Sequence, residues 1–152
     1  MSGTGRITVE RVDHIGIRVR DLDRALAFYG VLGFELRQKI PWDAVAIIAN
    51  AADVEINLII NANAGDEGTN ILMDVPGKYP GYTHIALRVS SIEDCIAALE
   101  ANGIVITQGP VSFGADGGVS VFVRDPDRNV IELRGRGQDL SRLEGVEQYV
   151  PE

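Results

Sequence analysis

Two segments of the chain alternate apolar and polar residues, and each is followed by apolar residues at helical spacing. In residues 14–19 and 84–89 every second residue is apolar, which predicts strands with one face buried. The helical stripes that follow are Leu22, Ala25, Leu26 and Tyr29, and then Ile92, Cys95, Ile96 and Leu99. Asp21 and Ser91 precede them as expected N-caps.

The two segments are copies of one pattern. Residues 14–33 align with residues 84–103 without a gap. Six aligned positions that carry the pattern are identical: His14/His84, Ile15/Ile85, Arg18/Arg88, Val19/Val89, Ala27/Ala97 and Gly33/Gly103. Each copy predicts a strand, a turn, a helix and a glycine that ends the helix.

The resemblance between the copies continues after the helices. VAIIANAADVEINLI (45–59) parallels SVFVRDPDRNVIELR (120–134), and both predict hairpins, the second with strong turn chemistry at Asp125 to Asp127. We therefore expect an α+β protein of two β-α-β-β-β modules. The segment 109–118 is expected to be a connecting loop, with a lid over a cleft as the alternative.

These patterns predict a single domain over residues 10–135. Its modules are expected at 10–60 and 82–135, and residues 61–81, rich in glycine and proline, are expected to link them. Residues 136–152 are polar and predict a C-terminal tail or short helix.

Charge and composition remove several classes of function. The formal net charge is −8 and no dense run of Lys or Arg occurs, which argues against a nucleic-acid partner or an anionic membrane. No apolar run is long enough to span a membrane, and the N-terminus does not resemble a signal peptide. The single cysteine, Cys95, is expected to be a buried, inert thiol, as suits a cytoplasmic protein.

The candidate chemistry lies on the polar faces of the strands. A lone histidine that opens a strand is more often a surface residue than a ligand, but His14 and His84 occupy equivalent positions in the two copies. Ile131 and Leu133 face the helix, so Glu132 faces the same side as the histidines. Two histidines and a carboxylate suit a divalent transition metal such as Ni, Zn, Fe, Mn or Co, with positions open for substrate.

A fourth ligand is expected from the first module. Glu55 and Asn57 are two residues apart, so both belong to the polar face of one strand. The ungapped repeat places Asn57 opposite Glu132, whereas a hairpin shorter by two residues places Glu55 there. Ligand chemistry favours Glu55, because a carboxylate binds a hard cation better than an amide.

Three segments resemble the signatures of the vicinal oxygen chelate (VOC) superfamily, the glyoxalase/bleomycin resistance protein/extradiol dioxygenase family: VDHIGIRVRDLDRALAFYGVLGFE, GYTHIALRVSS and VRDPDRNVIELRG. The resemblance covers residues 10–135 and is greatest to glyoxalase I. It implies paired modules forming a curved mixed sheet around a cleft, with metal ligands His14, Glu55, His84 and Glu132. It also implies Glu132 as the catalytic base and Arg18 as a substrate-binding residue, with Arg88 as a second candidate for holding an anionic group.

The function implied by the resemblance is that of a divalent-metal-dependent, glyoxalase I-like lyase or isomerase, acting on a small substrate with vicinal oxygens. An extradiol-type dioxygenase is an alternative, but such enzymes usually carry further histidines in the cleft. Acyl-CoA epimerases and thiol transferases also belong to the superfamily. A non-catalytic drug-binding protein of the bleomycin resistance type is the alternative from another class. The resemblance further implies a homodimer with sites shared between chains, against the alternative of a site closed within one chain.

Overall fold

The computed structural model describes residues 5–63, 68–113, 117–135 and 145–148. The elements follow the order predicted for two β-α-β-β-β modules. The first module contains β1 (Ile15–Val19), α1 (Leu22–Val31), β2 (Glu35–Lys39), β3 (Val45–Ala49) and β4 (Glu55–Ile60). The second contains β5 (His84–Arg88), α2 (Ile92–Ala101), β6 (Ile106–Phe113), β7 (Gly118–Arg124) and β8 (Val130–Gly135), and β9 (Glu147–Gln148) follows it.

Each module forms one mixed sheet, and the two sheets share a topology. The first has the strand order β1-β4-β3-β2, and the second has β5-β8-β7-β6-β9. In both, the first strand is parallel to the last strand of its module, and the other pairs within the module are antiparallel. The predicted α+β fold with paired modules is confirmed.

Both helices begin and end in the same way. The Asp21 side chain accepts a hydrogen bond from the backbone N–H of Arg24, and the Ser91 hydroxyl accepts one from Asp94. At the other ends, Gly33 and Gly103 adopt φ of +92° and +68°, a conformation that side chains rarely tolerate. The chain then reverses and the last carbonyls find donors, as in a Schellman motif. These predicted caps and stops are confirmed.

Two segments differ from the sequence-based expectation. The loop predicted for residues 109–118 is shorter, because β6 extends to Phe113 and β7 begins at Gly118; residues 114–116 lie outside the described part of the chain. In the predicted C-terminal tail, only residues 145–148 are described. They include β9, which pairs in parallel with β6, so this piece is a strand and not a helix.

One core joins the two modules. It contains buried residues of both sheets and of both helices, among them Tyr29, Ile56, Leu99 and Leu133. The inner faces of the sheets pack on this core. The opposite faces of the sheets carry the polar residues that alternate along the chain with the core residues, including both histidines.

The turn between β7 and β8 fastens the second module to the first. The buried Tyr29 hydroxyl donates to Asp125 Oδ2 at 2.7 Å. Arg20 bonds Asp127 at 3.2 Å, and the Asn129 amide donates to the Arg18 carbonyl at 3.1 Å. These contacts hold the first strand and helix of one module against the second module.

The segment between the modules is also fastened. Arg128 forms a two-point ion pair with Asp74, with Nε–Oδ2 at 2.8 Å and Nη2–Oδ1 at 3.0 Å. Arg124 reaches the same carboxylate at 3.1 Å. These guanidinium groups, Arg128 first, lower the pKa of Asp74 below its ordinary value. The described part of this segment, residues 61–63 and 68–81, contains no helix or strand.

Candidate functional site

The residues singled out by sequence lie at the same place in the two sheets. His84 is the first residue of β5, and His14 immediately precedes β1. Each histidine is followed at alternate positions by a small residue, Gly16 or Ala86, and then by an arginine. This face of each sheet lies away from the helix, as the alternation predicts.

In the second module, His84 and Glu132 are in contact. Nε2 of His84 lies 3.1 Å from Oε1 of Glu132, whose side chain is 10% exposed. The other carboxylate oxygen, Oε2, accepts a hydrogen bond from the Ser120 hydroxyl at 2.7 Å. The ring of Phe122 meets the imidazole edge to face, with centroids 5.9 Å apart. The carboxylate is thus held on one side and faces the imidazole on the other.

In the first module, His14 lies among carboxylates. Nδ1 of His14 is 2.7 Å from Oδ1 of Asp13 and 3.9 Å from Oε2 of Glu55. The three residues offer donor atoms that lie within 4.8 Å of one another. The hydrogen bond from His14 lowers the pKa of the exposed Asp13 carboxyl. The structure therefore brings Glu55 close to His14, but on the Nδ1 side of the ring.

The residue before each histidine determines which ring nitrogen is available. A carboxylate only accepts, so the Nδ1 of His14 donates its N–H to Asp13, which leaves Nε2 as the ring nitrogen that this bond does not engage. In the other copy, the Thr83 hydroxyl lies 2.9 Å from Nδ1 of His84, and Nε2 faces Glu132. In both modules the Nδ1 has a partner in the preceding residue, an arrangement that orients metal-binding histidines in proteins.

The strand register identifies the counterpart of Glu132. Gly16 pairs with Asn57 in the first sheet, and Ala86 pairs with Glu132 in the second. Asn57 therefore corresponds to Glu132, and Glu55 lies at the level of Val130. The amide oxygen Oδ1 of Asn57 is buried and, among the described residues, has no hydrogen-bond partner.

The two arginines of the repeat line different cavities. Arg18 borders a cavity of about 460 Å³ with Arg20, Asn61 and Asn129, and its Nε donates to Asn61 Oδ1 at 3.0 Å. Arg88 borders a second cavity of about 390 Å³ that also contains Cys95. Burial raises the pKa of the Cys95 thiol to about 11, so the thiol is protonated at neutral pH. Neither of these two cavities is lined by His14 or His84.

Within one chain, the donor atoms around His14 and those of His84 and Glu132 do not come together in one group. Among the residues that the structure describes, donor atoms gather in a group of three only at Asp13, His14 and Glu55. No third donor of this kind joins His84 and Glu132 there. Each module therefore provides half of the predicted ligand set, which we call a half-site. Both imidazoles are partly exposed, 43% for His14 and 37% for His84.

Sequence reasoning did not find three residues of these half-sites. Asp13 and Thr83 lie just outside the aligned segment, although both precede a histidine at the same offset. Ser120 opens the second predicted hairpin, and only the pairing of β7 with β8 brings it to Glu132. Extending the repeat by one residue would have revealed the first two.

Comparisons with known proteins agree with this geometry. The model of the Glyoxalase/Bleomycin resistance protein/Dioxygenase superfamily matches residues 11–133. A probable lactoylglutathione lyase of Vibrio cholerae is 30% identical over 146 residues, which cover 89% of this chain and 97% of that protein.

Two further comparisons bear on length and fold. Lactoylglutathione lyase GLX1 of Arabidopsis thaliana is 28% identical over 82% of this chain, which spans 44% of that longer protein. The crystal structure of a glyoxalase/dioxygenase from Nostoc punctiforme has the same fold, with a TM-score of 0.67 and 22% identity. The alignment covers 85% of this chain and 92% of that one. Among the described residues, no helix is long and apolar enough to cross a membrane. The chain therefore belongs to the Glyoxalase/Bleomycin resistance protein/Dioxygenase superfamily.

Proposed function

We propose that the protein is a divalent-metal-dependent lyase or isomerase of the glyoxalase I type, acting on a small substrate with vicinal oxygens. One observation carries the proposal: two histidines at equivalent positions each have Nδ1 engaged by the preceding residue, and in the second copy Nε2 faces a buried carboxylate. The names of the relatives support the reaction class.

The residues present fit a divalent cation. His84 Nε2 and Glu132 Oε1, 3.1 Å apart, are donor atoms of the kinds that transition metals prefer. His14 supplies a second imidazole, whose Nε2 is not engaged in the described contacts, and β4 supplies either Glu55 or Asn57. A bound cation would polarise a substrate oxygen and stabilise the negative charge that develops there.

Glu132 is the residue that we assign to proton transfer. Its carboxyl group is nearly buried, with Oε2 accepting a hydrogen bond from the Ser120 hydroxyl at 2.7 Å and Oε1 lying 3.1 Å from Nε2 of His84. A carboxylate held in this way can take a proton from one substrate carbon and return it to the next. Ser120 keeps Oε2 in place, so that Oε1 stays directed at the site.

The complete site is proposed to form between two chains. Each module presents half of the ligand set on an exposed sheet face, and a two-fold dimer would bring His14 of one protomer to His84 and Glu132 of its partner. The contacts of Tyr29 and Asp74 hold the modules of one chain in their present arrangement.

Arg18 is proposed to hold an anionic group of the substrate. It lies on the same face as His14, further along β1, and opens onto the polar cavity of about 460 Å³. Its Nε donates to Asn61, and the terminal nitrogens have no partner among the described contacts, so they can meet a carboxylate.

The test is an assay of metal-free protein reloaded with Ni, Zn, Co, Mn or Fe in turn. The substrate is the hemithioacetal of methylglyoxal and glutathione, and lactoylglutathione is the product measured. We expect turnover with at least one metal and a loss of about 100-fold or more in Glu132→Gln, the typical weight of a general base. Glu100→Gln, an exposed change on α2, is the matched control. Turnover without metal, or in Glu132→Gln at the wild-type rate, would exclude the proposal.

A further inference from the structure

Asn57 occupies the position that Glu132 occupies in the other module. The pairing of β1 with β4 and of β5 with β8 places them at the same level, beside Gly16 and Ala86. On the other side, Asn57 pairs with Ile47 of β3, and Glu132 pairs with Phe122 of β7. At this position of the sheet, the first module carries an amide where the second carries a carboxylate.

The amide of Asn57 is not satisfied within the chain. Its Oδ1 is buried and lacks a partner among the described residues. A buried acceptor without a donor is destabilising, and a contact with a ligand would remove that cost. Gly16, which pairs with Asn57, carries no side chain, and a Cβ added there would meet no heavy atom within 4 Å.

Glu55 lies on the other side of His14. Its Oε2 is 3.9 Å from Nδ1, the nitrogen that donates to Asp13, and its partner in the neighbouring strand is Ala49. The copy built around His84 shows which nitrogen faces a ligand: there Nε2 meets the carboxylate, and Nδ1 meets the preceding residue. Glu55 and Asp13 both lie beside Nδ1 of His14, the nitrogen whose counterpart in His84 is bonded to the preceding residue.

We propose that Asn57, not Glu55, completes the metal site, and that Asp13 is a positioning residue that fixes the His14 tautomer. This inference rests on the proposed function. The ligand set is then His14 Nε2, His84 Nε2, Glu132 and the neutral Asn57 Oδ1. A divalent cation in this set keeps one more positive charge than it would beside two carboxylates. The chemistry implied is stronger polarisation of the substrate oxygens with a single carboxylate base.

The test is titration of metal-free protein with Co²⁺, followed by calorimetry and by the visible absorption of bound cobalt. Asn57→Ala is expected to weaken Co²⁺ binding by about tenfold or more, whereas Asn57→Asp is expected to strengthen it, because a carboxylate replaces a neutral ligand. Both changes should alter the cobalt spectrum. Glu55→Gln should leave the spectrum unchanged and affect affinity less than Asn57→Ala. Asp13→Asn should weaken Co²⁺ binding, but the spectrum of the bound cobalt should stay that of the same ligands.

The outcomes separate this inference from the proposed function. If the wild type binds no Co²⁺, the proposed function itself fails. If the wild type binds Co²⁺ and Glu55→Gln weakens binding more than Asn57→Ala, the assignment of Asn57 is overturned and Glu55 is the ligand. Thermal unfolding of each metal-free variant controls for misfolding, and Asn57→Asp tests the position without loss of volume.

Discussion

Individual hydrogen bonds hold the carboxylate of Glu132 in its orientation. Glu132 is nearly buried, and a buried carboxylate is stable only where its oxygens have partners. Ser120, also buried, provides one of them at 2.7 Å. The hydroxyl thus acts through Glu132, without itself being directed at the substrate.

Replacing Ser120 by Ala should therefore weaken metal binding. The loss of a partner behind a ligand typically lowers metal affinity by about 10–100-fold. Co²⁺ titration measures the change, and Ser120→Thr, which retains the hydroxyl, should restore most of the affinity. Ser90→Ala, an exposed serine outside the half-sites, is the control. Equal affinities for Ser120→Ala and the wild type would mean that Glu132 does not depend on this bond.

The placing of both histidines and Glu132 on one polar face was predictable from the sequence because the pattern recurs, and their hydrogen-bond partners were not. His14 and His84 align without a gap, and alternation alone places Glu132 on their face. The choice between Glu55 and Asn57 depended on the length of a hairpin, which residue types do not determine. The pairing of β3 with β4 supplies that register in the structure.

Among the elements, the turn between β7 and β8 has a structural role that its sequence only partly indicates. Asp125-Pro126-Asp127 predicted a turn, and the carboxylate of Asp125 indeed accepts from the backbone of Asp127 and Asn129. Its contact with Tyr29 is long-range, and no local pattern predicts it. Burial raises the pKa of Asp125, and the Tyr29 hydroxyl and Asn129 act against that rise.

Tyr29→Phe should lower the free energy of unfolding by about 1–3 kcal/mol, because it leaves a buried carboxylate oxygen with one donor fewer. Chemical denaturation at neutral pH measures the change. Tyr82→Phe removes a hydroxyl from a side chain that is 99% exposed and should change little. If both variants unfold like the wild type, the contact between Tyr29 and Asp125 contributes nothing to stability.

The ion pair of Asp74, in the segment between the modules, should make the free energy of unfolding depend on pH in the acid range. The folded pKa of Asp74 lies below its unfolded value of about 3.9. The ion pair with Arg128 therefore contributes fully above that value, and its contribution is lost as the pH falls through the folded pKa.

Asp74→Asn should accordingly be less stable than the wild type at pH 7, by about 1–2 kcal/mol. Urea unfolding at pH 7, 5 and 3 should show this difference shrinking at the lowest pH. Glu100→Gln, which removes an exposed carboxylate without such partners in the described contacts, is the comparison. A difference that stays constant across the three pH values would contradict the role of the ion pair.

The whole molecule has a duplicated architecture with its two half-sites held apart. The topology followed from sequence because both copies carry the same caps, glycines and alternation. The extension of β6 to Phe113 did not follow, because Gly109 and Pro110 are typical of loops. Tertiary pairing with β7 keeps these residues in the sheet.

Complementation between two inactive chains tests whether sites are shared. His14→Ala and His84→Ala should each be inactive alone, since each removes a ligand from every site. A mixed dimer would contain one intact site, and about half the activity of a wild-type dimer should return. Self-mixing of each variant is the control. If mixed chains dimerise but remain inactive, each site is closed within its own chain.

The unequal pair of Asn57 and Glu132 has a stereochemical consequence. A substrate lying between the two half-sites would meet a group that exchanges protons on one side and an amide that does not on the other. Protonation would then reach one face of a planar intermediate only. The product would form as a single enantiomer, and in deuterated water the label would enter at its new stereocentre.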